Sequence, residues 1–235
     1  MSSPMRSNSG RQASFAFTTA SAIAAAARLG LWIGLALNAP VKGWADIDVT
    51  KLLKGVEERY NHIQTLQVSF TETSTVQGRK RTEKGDLSLR KPGRMRWQYA
   101  GGQLYISDGK FIYAYYPNEK RAEQMPMKEA DDMRAPLAFL LGRLNFADDF
   151  KQFVARPDGD KTLIAATPKS DKMPYSEVSF LVSSDSVIHW LQVKGQDGSI
   201  LEFTFENEKK NPPLADSNFK FAPPPGVEFV KSGQQ

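Results

Sequence analysis

Residues with the chemistry for catalysis are scarce in this chain of 235 residues. It contains no cysteine and two histidines, His62 and His189, so it lacks a thiolate nucleophile, a cysteine-ligated metal and a cysteine for lipid anchoring. Asp131–Asp132 and Asp148–Asp149 are adjacent carboxylates, whose side chains diverge and more often cap helices than bind a metal. The sequence also has no phosphate-binding glycine loop and no G-x-S-x-G motif. We therefore expect neither an enzyme nor a cofactor-dependent protein.

Binding chemistry is more plentiful, and it is concentrated in residues 85–117. Large apolar side chains recur at alternate positions of a predicted strand, which places them on one face. These are Leu87, Leu89, Met95, Trp97 and Tyr99. Arg90, Arg94 and Arg96 take the other, solvated face. The pattern fits either an ordinary core or the wall of an apolar cavity, and periodicity alone does not choose between them.

A second aromatic run follows directly along the chain. Phe111, Tyr113 and Tyr115 share one face of a predicted strand, while Ile112, Ala114 and Tyr116 share the other. Because both faces are apolar, one could meet a helix and the other a core or cavity.

Lys91 is the exception in this pattern, because its spacing puts a cation on the same side as Leu87 and Leu89. An unpaired buried ammonium is costly, so the side chain should lie at a rim or donate to carbonyl groups. Alternatively, a bulge at Lys91–Pro92 turns it outward.

The elements around these residues are mostly short strands. Residues 46–66 have the apolar spacing of an amphipathic helix with Asp46 and Asp48 near its start. Strand-like runs joined by turn signals follow, interrupted by an apolar, proline-initiated helix over residues 134–146. The pattern predicts a mainly β, antiparallel single domain over residues 46–235.

The N-terminal segment has the layout of a secretory signal peptide, with a basic region, an apolar stretch and small residues before Asp46. We expect cleavage after Ala45. A retained anchor is the alternative, although the apolar run at residues 29–37 is short for a membrane span. Removing residues 1–45 lowers the formal charge from +5 to +1, since four cations are lost. The basic composition is therefore weak support for nucleic-acid binding.

Several motifs together resemble one family. The segments GDLSLRKPGRMRWQY and LYISDGKFIYAYYPNEKRAEQM, the proline-initiated apolar helix and the final FKFAPPPGV are similar to the LolA family of periplasmic outer-membrane lipoprotein carriers. The resemblance covers roughly Asp46 to Val230. It implies an unclosed antiparallel β-barrel in which helices form a lid over an apolar cavity.

The resemblance also implies a function without a cofactor. A monomeric carrier would bind lipoprotein acyl chains in the cavity, receive them from an inner-membrane ABC-type releasing complex and pass them to an outer-membrane receptor lipoprotein. Within the same fold, the alternative is a lipid- or lipoprotein-sensing module that signals to a membrane regulator. The cavity residues that it implies are Leu87, Leu89, Met95, Trp97, Tyr99, Phe111, Tyr113, Met125, Leu137, Leu140 and Leu141.

One position departs from the family pattern. The family usually has arginine immediately before the strand's proline, where it hydrogen-bonds the lid backbone and holds the closed form. Here that residue is Lys91, which lacks the planar fork of a guanidinium. The resemblance implies that Lys91 is the lid latch.

Overall fold

The described part of the chain folds into one large sheet with a single long helix. The structure is a computed structural model that describes residues 47–127 and 144–231. The helices within these ranges are α1 (Val49–His62) and the short α2 (Phe146–Asp149). The strands of the first half are β1 (Thr65–Val76), β2 (Arg79–Arg90), β3 (Arg94–Tyr99), β4 (Leu104–Asp108), β5 (Phe111–Tyr116) and β6 (Arg121–Pro126). Those of the second half are β7 (Phe150–Asp158), β8 (Lys161–Pro168), β9 (Tyr175–Ser183), β10 (Ile188–Gly195), β11 (Ile200–Lys210) and β12 (Glu228–Lys231).

The strand order shows two meanders joined into one unclosed sheet. The order is β12-β6-β5-β4-β3-β2-β1-β11-β10-β9-β8-β7, with β12 and β7 at the edges. Neighbouring strands are antiparallel except for β12, which runs parallel to β6. The prediction of a mainly β, unclosed antiparallel sheet is confirmed.

The helix α1 is shorter than the predicted helix over residues 46–66. Asp48 caps its start by accepting a hydrogen bond from the Lys51 amide at 2.9 Å. It ends at His62, where Ile63 takes the extended backbone conformation that leads to β1 at Thr65. Its buried side chains are Leu53, Val56 and Tyr60, which lie three and four residues apart on one stripe.

This stripe packs into a hydrophobic core built on one face of the sheet, which we call the inner face. Strand register defines this face, because directly paired residues point to the same side. One row of pairs joins Leu66, Leu89 and Met95, and the next joins Val68, Leu87 and Trp97. All six side chains are buried.

The C-terminal segment, by which we mean residues 214–221, covers the opposite, outer face of β3 to β5. A 3-10 helix at Asp216–Phe219 lies against β3 and β4, where Phe219 and Ile106 are both buried. Phe221 then stacks on Tyr113 with ring centroids 5.6 Å apart. The sheet therefore has an apolar layer on each side in this region.

Candidate functional site

The inner face brings together five of the predicted cavity residues. Leu87, Leu89, Met95, Trp97 and Tyr99 are all buried on it, each less than 5% exposed. The Trp97 ring lies 4.9 Å from Phe70 and 5.5 Å from Phe203 across the sheet. These side chains therefore pack against other inner-face residues as part of one buried apolar core, and we call this surface the apolar wall.

Met125 lies on the same wall, because it pairs with Ile112, which in turn pairs with Ser107 opposite Met95. It is half-buried against the core. Methionine is flexible and polarisable, so its side chain can adapt to apolar neighbours of different shape.

Phe111 and Tyr113 lie on the outer face, which corrects their placement among the cavity residues. Tyr113 pairs with Ile106, which pairs with Arg96, so all three point away from Trp97. Phe111 is two residues earlier in the same strand and shares their side. The residues of β5 that point inward are Ile112, Ala114 and Tyr116, of which Ile112 and Ala114 are buried. The physical reason is that the outer face has its own apolar cover, which includes Phe221.

Leu137, Leu140 and Leu141 lie outside the described residues, as does most of the helix expected over residues 134–146. At the end of that range, Leu144 and Asn145 are not helical, and α2 begins only at Phe146.

Lys91 binds the end of α1. Its Nζ donates a hydrogen bond of 2.7 Å to the carbonyl oxygen of Tyr60, in the last turn of the helix. A cation at that position also interacts favourably with the negative end of the helix dipole. Burial lowers the pKa of Lys91. Of the two alternatives, the structure shows the inward one, in which the ammonium donates to a carbonyl at the rim.

Arg90 points the other way. Its guanidinium forms a 2.5 Å ion pair with Asp216 and a hydrogen bond to the Leu214 carbonyl. The two adjacent cations therefore act on opposite faces of the sheet. Lys91 binds α1 on the inner face, and Arg90 binds the C-terminal segment on the outer face.

A second anchor joins α1 to the other half of the sheet. The hydroxyl of Tyr60 donates to Glu208 at 2.9 Å and accepts from the Ile188 amide at 3.1 Å. Arg59 forms a 2.5 Å ion pair with the same carboxylate. Burial, followed by the negative charge of Glu208, raises the pKa of Tyr60 well above its usual value.

A third anchor joins α1 to the chain that precedes α2. The Asn61 side chain exchanges two hydrogen bonds with the Leu144 backbone, at 2.8 and 2.7 Å. Glu57 accepts another from the Phe146 amide at 2.7 Å. The C-terminal half of α1 is thus held by polar contacts at its margins, while its apolar stripe lies on the inner face.

Comparison with known proteins places this architecture in a family. The family described as "Outer membrane lipoprotein carrier protein LolA" matches residues 61–222. The chain belongs to the LolA family. The match begins at Asn61, so it includes the sheet residues Lys91 and Glu208 of the two anchors and the 3-10 helix on the outer face, but not Arg59 or Tyr60 of α1.

Curated relatives carry the same description. An outer-membrane lipoprotein carrier protein of Chromobacterium violaceum is 28% identical over 169 residues, which cover 71% of this chain and 81% of the relative. One from Legionella pneumophila is 28% identical over 181 residues, covering 75% and 88%.

Solved structures show looser resemblance. A LolA superfamily protein from Nitrosomonas europaea has a TM-score of 0.42 at 12% identity, covering 73% of this chain and 97% of that one. The Mycobacterium tuberculosis lipoprotein LppX has a TM-score of 0.45 at 14% identity, covering 71% and 98%.

Two features are absent from the residues that the structure describes. Within residues 47–127 and 144–231, no three histidine or acidic side chains group as metal ligands. In the same ranges, no helix has the length and apolarity required to cross a membrane.

Sequence reasoning missed several residues of this site. Tyr105 pairs with Trp97 on the inner face, and Phe203 packs against the same indole. Alternation within the strands could have placed both inward. Glu208 had no such signal, since it belongs to the polar, largely exposed end of β11 and acquires its role only from α1.

Proposed function

We propose that this protein is a periplasmic carrier that binds the acyl chains of lipoproteins on its inner face and moves lipoproteins from the inner to the outer membrane. The observation that carries the proposal is the apolar inner face beneath α1 in a chain of the LolA family. Export through a leader cleaved after Ala45 would deliver it to the periplasm; residues 1–46 lie outside the described residues.

The packing of the inner face suggests how cargo would be bound. Leu89, Met95 and Trp97 are already buried, and the α1 residues Leu53 and Val56 belong to the same core. Acyl chains would therefore take the place of apolar groups that now cover the wall. Each buried methylene contributes about 0.8 kcal/mol. Because one apolar cover replaces another, the net free energy of exchange stays small, and release needs no chemical fuel.

The anchors of α1 would set the balance between the covered and the loaded states. We infer that Lys91 is a latch, because its hydrogen bond to the Tyr60 carbonyl joins the end of the helix to the rim of the wall. Breaking that bond exposes both partners to water, so the barrier to opening is modest.

The proposed partners follow from the family. They are acylated lipoproteins as cargo, an inner-membrane ABC-type releasing complex as donor and an outer-membrane receptor lipoprotein as acceptor. We expect the carrier to act as a monomer.

Release from spheroplasts tests the proposal. Spheroplasts that synthesise a labelled lipoprotein are incubated with the purified exported protein, and soluble lipoprotein is measured in the supernatant. We expect release of the acylated lipoprotein in a complex with the carrier, followed by transfer to outer-membrane vesicles that contain the receptor.

Two controls make the result specific. Heat-denatured carrier should release nothing, and a cargo variant without the acylated cysteine should not form the complex. Absence of release with an intact releasing complex would contradict the carrier function. Binding of acylated cargo without transfer, together with copurification of a membrane regulator, would instead favour the sensing module.

A further inference from the structure

The hairpin of β1 and β2 extends beyond the strand that follows it. These two strands pair over their whole length, as far as Val76 opposite Arg79. In contrast, β3 pairs only with Gly85–Arg90, and its last pair joins Tyr99 to Gly85. Within the described residues, the sheet therefore offers residues 79–83 no strand partner on the β3 side, whereas the Lys84 carbonyl accepts a hydrogen bond from the Ala100 amide. The end of the hairpin, residues 76–84, extends beyond β3, although β1 remains paired with β11 as far as Thr75 opposite Ile200. We call residues 76–84 the hairpin tip.

The hairpin tip is strongly basic. Its cations are Arg79, Lys80, Arg81 and Lys84, all exposed, and its one carboxylate is Glu83. Four cations less one carboxylate leave a net charge of +3, against +5 for the whole chain. Arg81 pairs with Glu83 at 3.0 Å, yet its side chain remains 71% exposed.

The hairpin tip also carries an exposed apolar side chain. Val76 is 52% exposed, and it directly precedes the turn at Gln77 and Gly78, whose φ angles are both positive. Cations along an open edge are a common protection against strand pairing. That protection accounts for the charge, but it gives no reason for a valine at the end of the hairpin.

The charge lies on both faces of the hairpin. Arg79 and Arg81 share the side of Leu87, whereas Lys80 and Lys84 point to the opposite side. A folded acidic partner would cover one face and leave the other cations unpaired. A plane of anionic headgroups, met end-on, would contact the cations of both faces and receive the valine between them.

We propose that the hairpin tip binds the surface of bilayers that contain anionic phospholipids. Charge complementarity brings the cations to the headgroups, and Val76 enters the interfacial region. The proposal goes beyond acyl-chain binding and does not depend on it, because neither the buried apolar core of the inner face nor α1 takes part. Binding of this kind is weak and reversible, as a single cluster of cations and one small apolar side chain provide it.

Cosedimentation with vesicles tests the proposal in the absence of cargo. The exported protein is mixed with phosphatidylcholine vesicles with or without phosphatidylglycerol, at low salt. We expect binding only to the vesicles that contain phosphatidylglycerol, with loss as salt rises, since the screening length shortens to about 10 Å at 0.1 M.

Substitutions then locate the contact. Each cation near an anionic surface strengthens binding about fivefold, so the triple variant R79Q/K80Q/R81Q should lower the partition coefficient by about a hundredfold. The matched control is K209Q/K210Q/K220Q, which removes the same charge from exposed positions away from the hairpin tip. Its partition coefficient should stay within about twofold of the unchanged protein. All variants share one N-terminus, so any contribution from it cancels.

Val76→Ser provides a second, independent variant. It leaves the charge unchanged and should weaken binding severalfold, because the hydroxyl removes the apolar contact. Failure of the protein to bind phosphatidylglycerol vesicles at low salt would overturn the proposal. So would equal losses in the triple variant and its control, because total charge rather than the hairpin tip would then determine binding.

Discussion

Lys91 shows how one side chain connects the helix to the wall beneath it. Its ammonium donates to a carbonyl in the last turn of α1, where the remaining carbonyls of the helix have few partners within the helix. Lysine can supply this hydrogen bond, although it lacks the second, geometrically fixed donor of arginine. The spacing of the strand placed the cation on the apolar side, but its partner 31 residues earlier could not be read from local sequence.

Replacing Lys91 should loosen the end of α1. We expect Lys91→Leu to lower the free energy of unfolding by about 1–3 kcal/mol, since it removes a hydrogen bond with a charged donor. Hydrogen exchange of the amides in the last turn of α1 should rise, and transfer of cargo in the spheroplast assay should fall. Lys91→Arg should preserve both.

The matched control is Arg90→Leu, which removes the neighbouring cation from the outer face. It should leave hydrogen exchange of α1 unchanged. Unaltered exchange and transfer in Lys91→Leu would show that this lysine is not the latch.

Tyr60 gives a prediction that depends on pH. Its pKa is raised in the folded protein, so the stabilisation it provides is fully present below the unfolded pKa of about 10 and is lost as the pH rises above that value. The free energy of unfolding, measured with urea, should therefore fall more steeply above pH ~10 for the unchanged protein than for Tyr60→Phe. Identical slopes for the two proteins would contradict the assignment.

At the scale of elements, β5 shows what determines which face of a strand turns inward. Both of its faces are apolar, so its own sequence favours neither. The decision comes from its register with β4 and from the C-terminal segment, whose Phe221 stacks on Tyr113 from a position 108 residues away in sequence. For β2 and β3, the prediction of which residues share the apolar face was correct, because the charged residues at alternate positions identified the other face.

The C-terminal segment should therefore matter for stability and not for cargo. Phe219→Ala should lower the free energy of unfolding by about 3–5 kcal/mol, because it empties a buried aromatic site on the outer face. Acyl-chain binding, measured by fluorescence displacement of a lipid probe, should stay unchanged. Phe203→Ala, on the inner face beside Trp97, is the counterpart and should alter both quantities. Loss of probe binding in a folded Phe219→Ala protein would contradict this division.

At the scale of the whole molecule, the two faces of the sheet have different neighbours and different proposed tasks. The inner face is covered by α1, which three sets of polar contacts hold at its margins. The outer face is covered by the C-terminal segment, which Arg90 and Arg94 join to the sheet through Asp216. The alternation of residues predicted an apolar wall, but the partners of its helix come from strands far apart in sequence.

Crosslinking from matched positions on the two faces tests the central claim most directly. Tyr105 and Tyr113 are both half-buried tyrosines on adjacent strands, one on the inner face and one on the outer face. A photoreactive benzoylphenylalanine replaces each in turn, and the carrier is loaded with a lipoprotein that bears labelled acyl chains. We expect crosslinks to the acyl chains from position 105 and none from position 113, and no crosslink to unacylated cargo. Equal crosslinking from both positions, or crosslinking from position 113 alone, would contradict binding of acyl chains on the inner face.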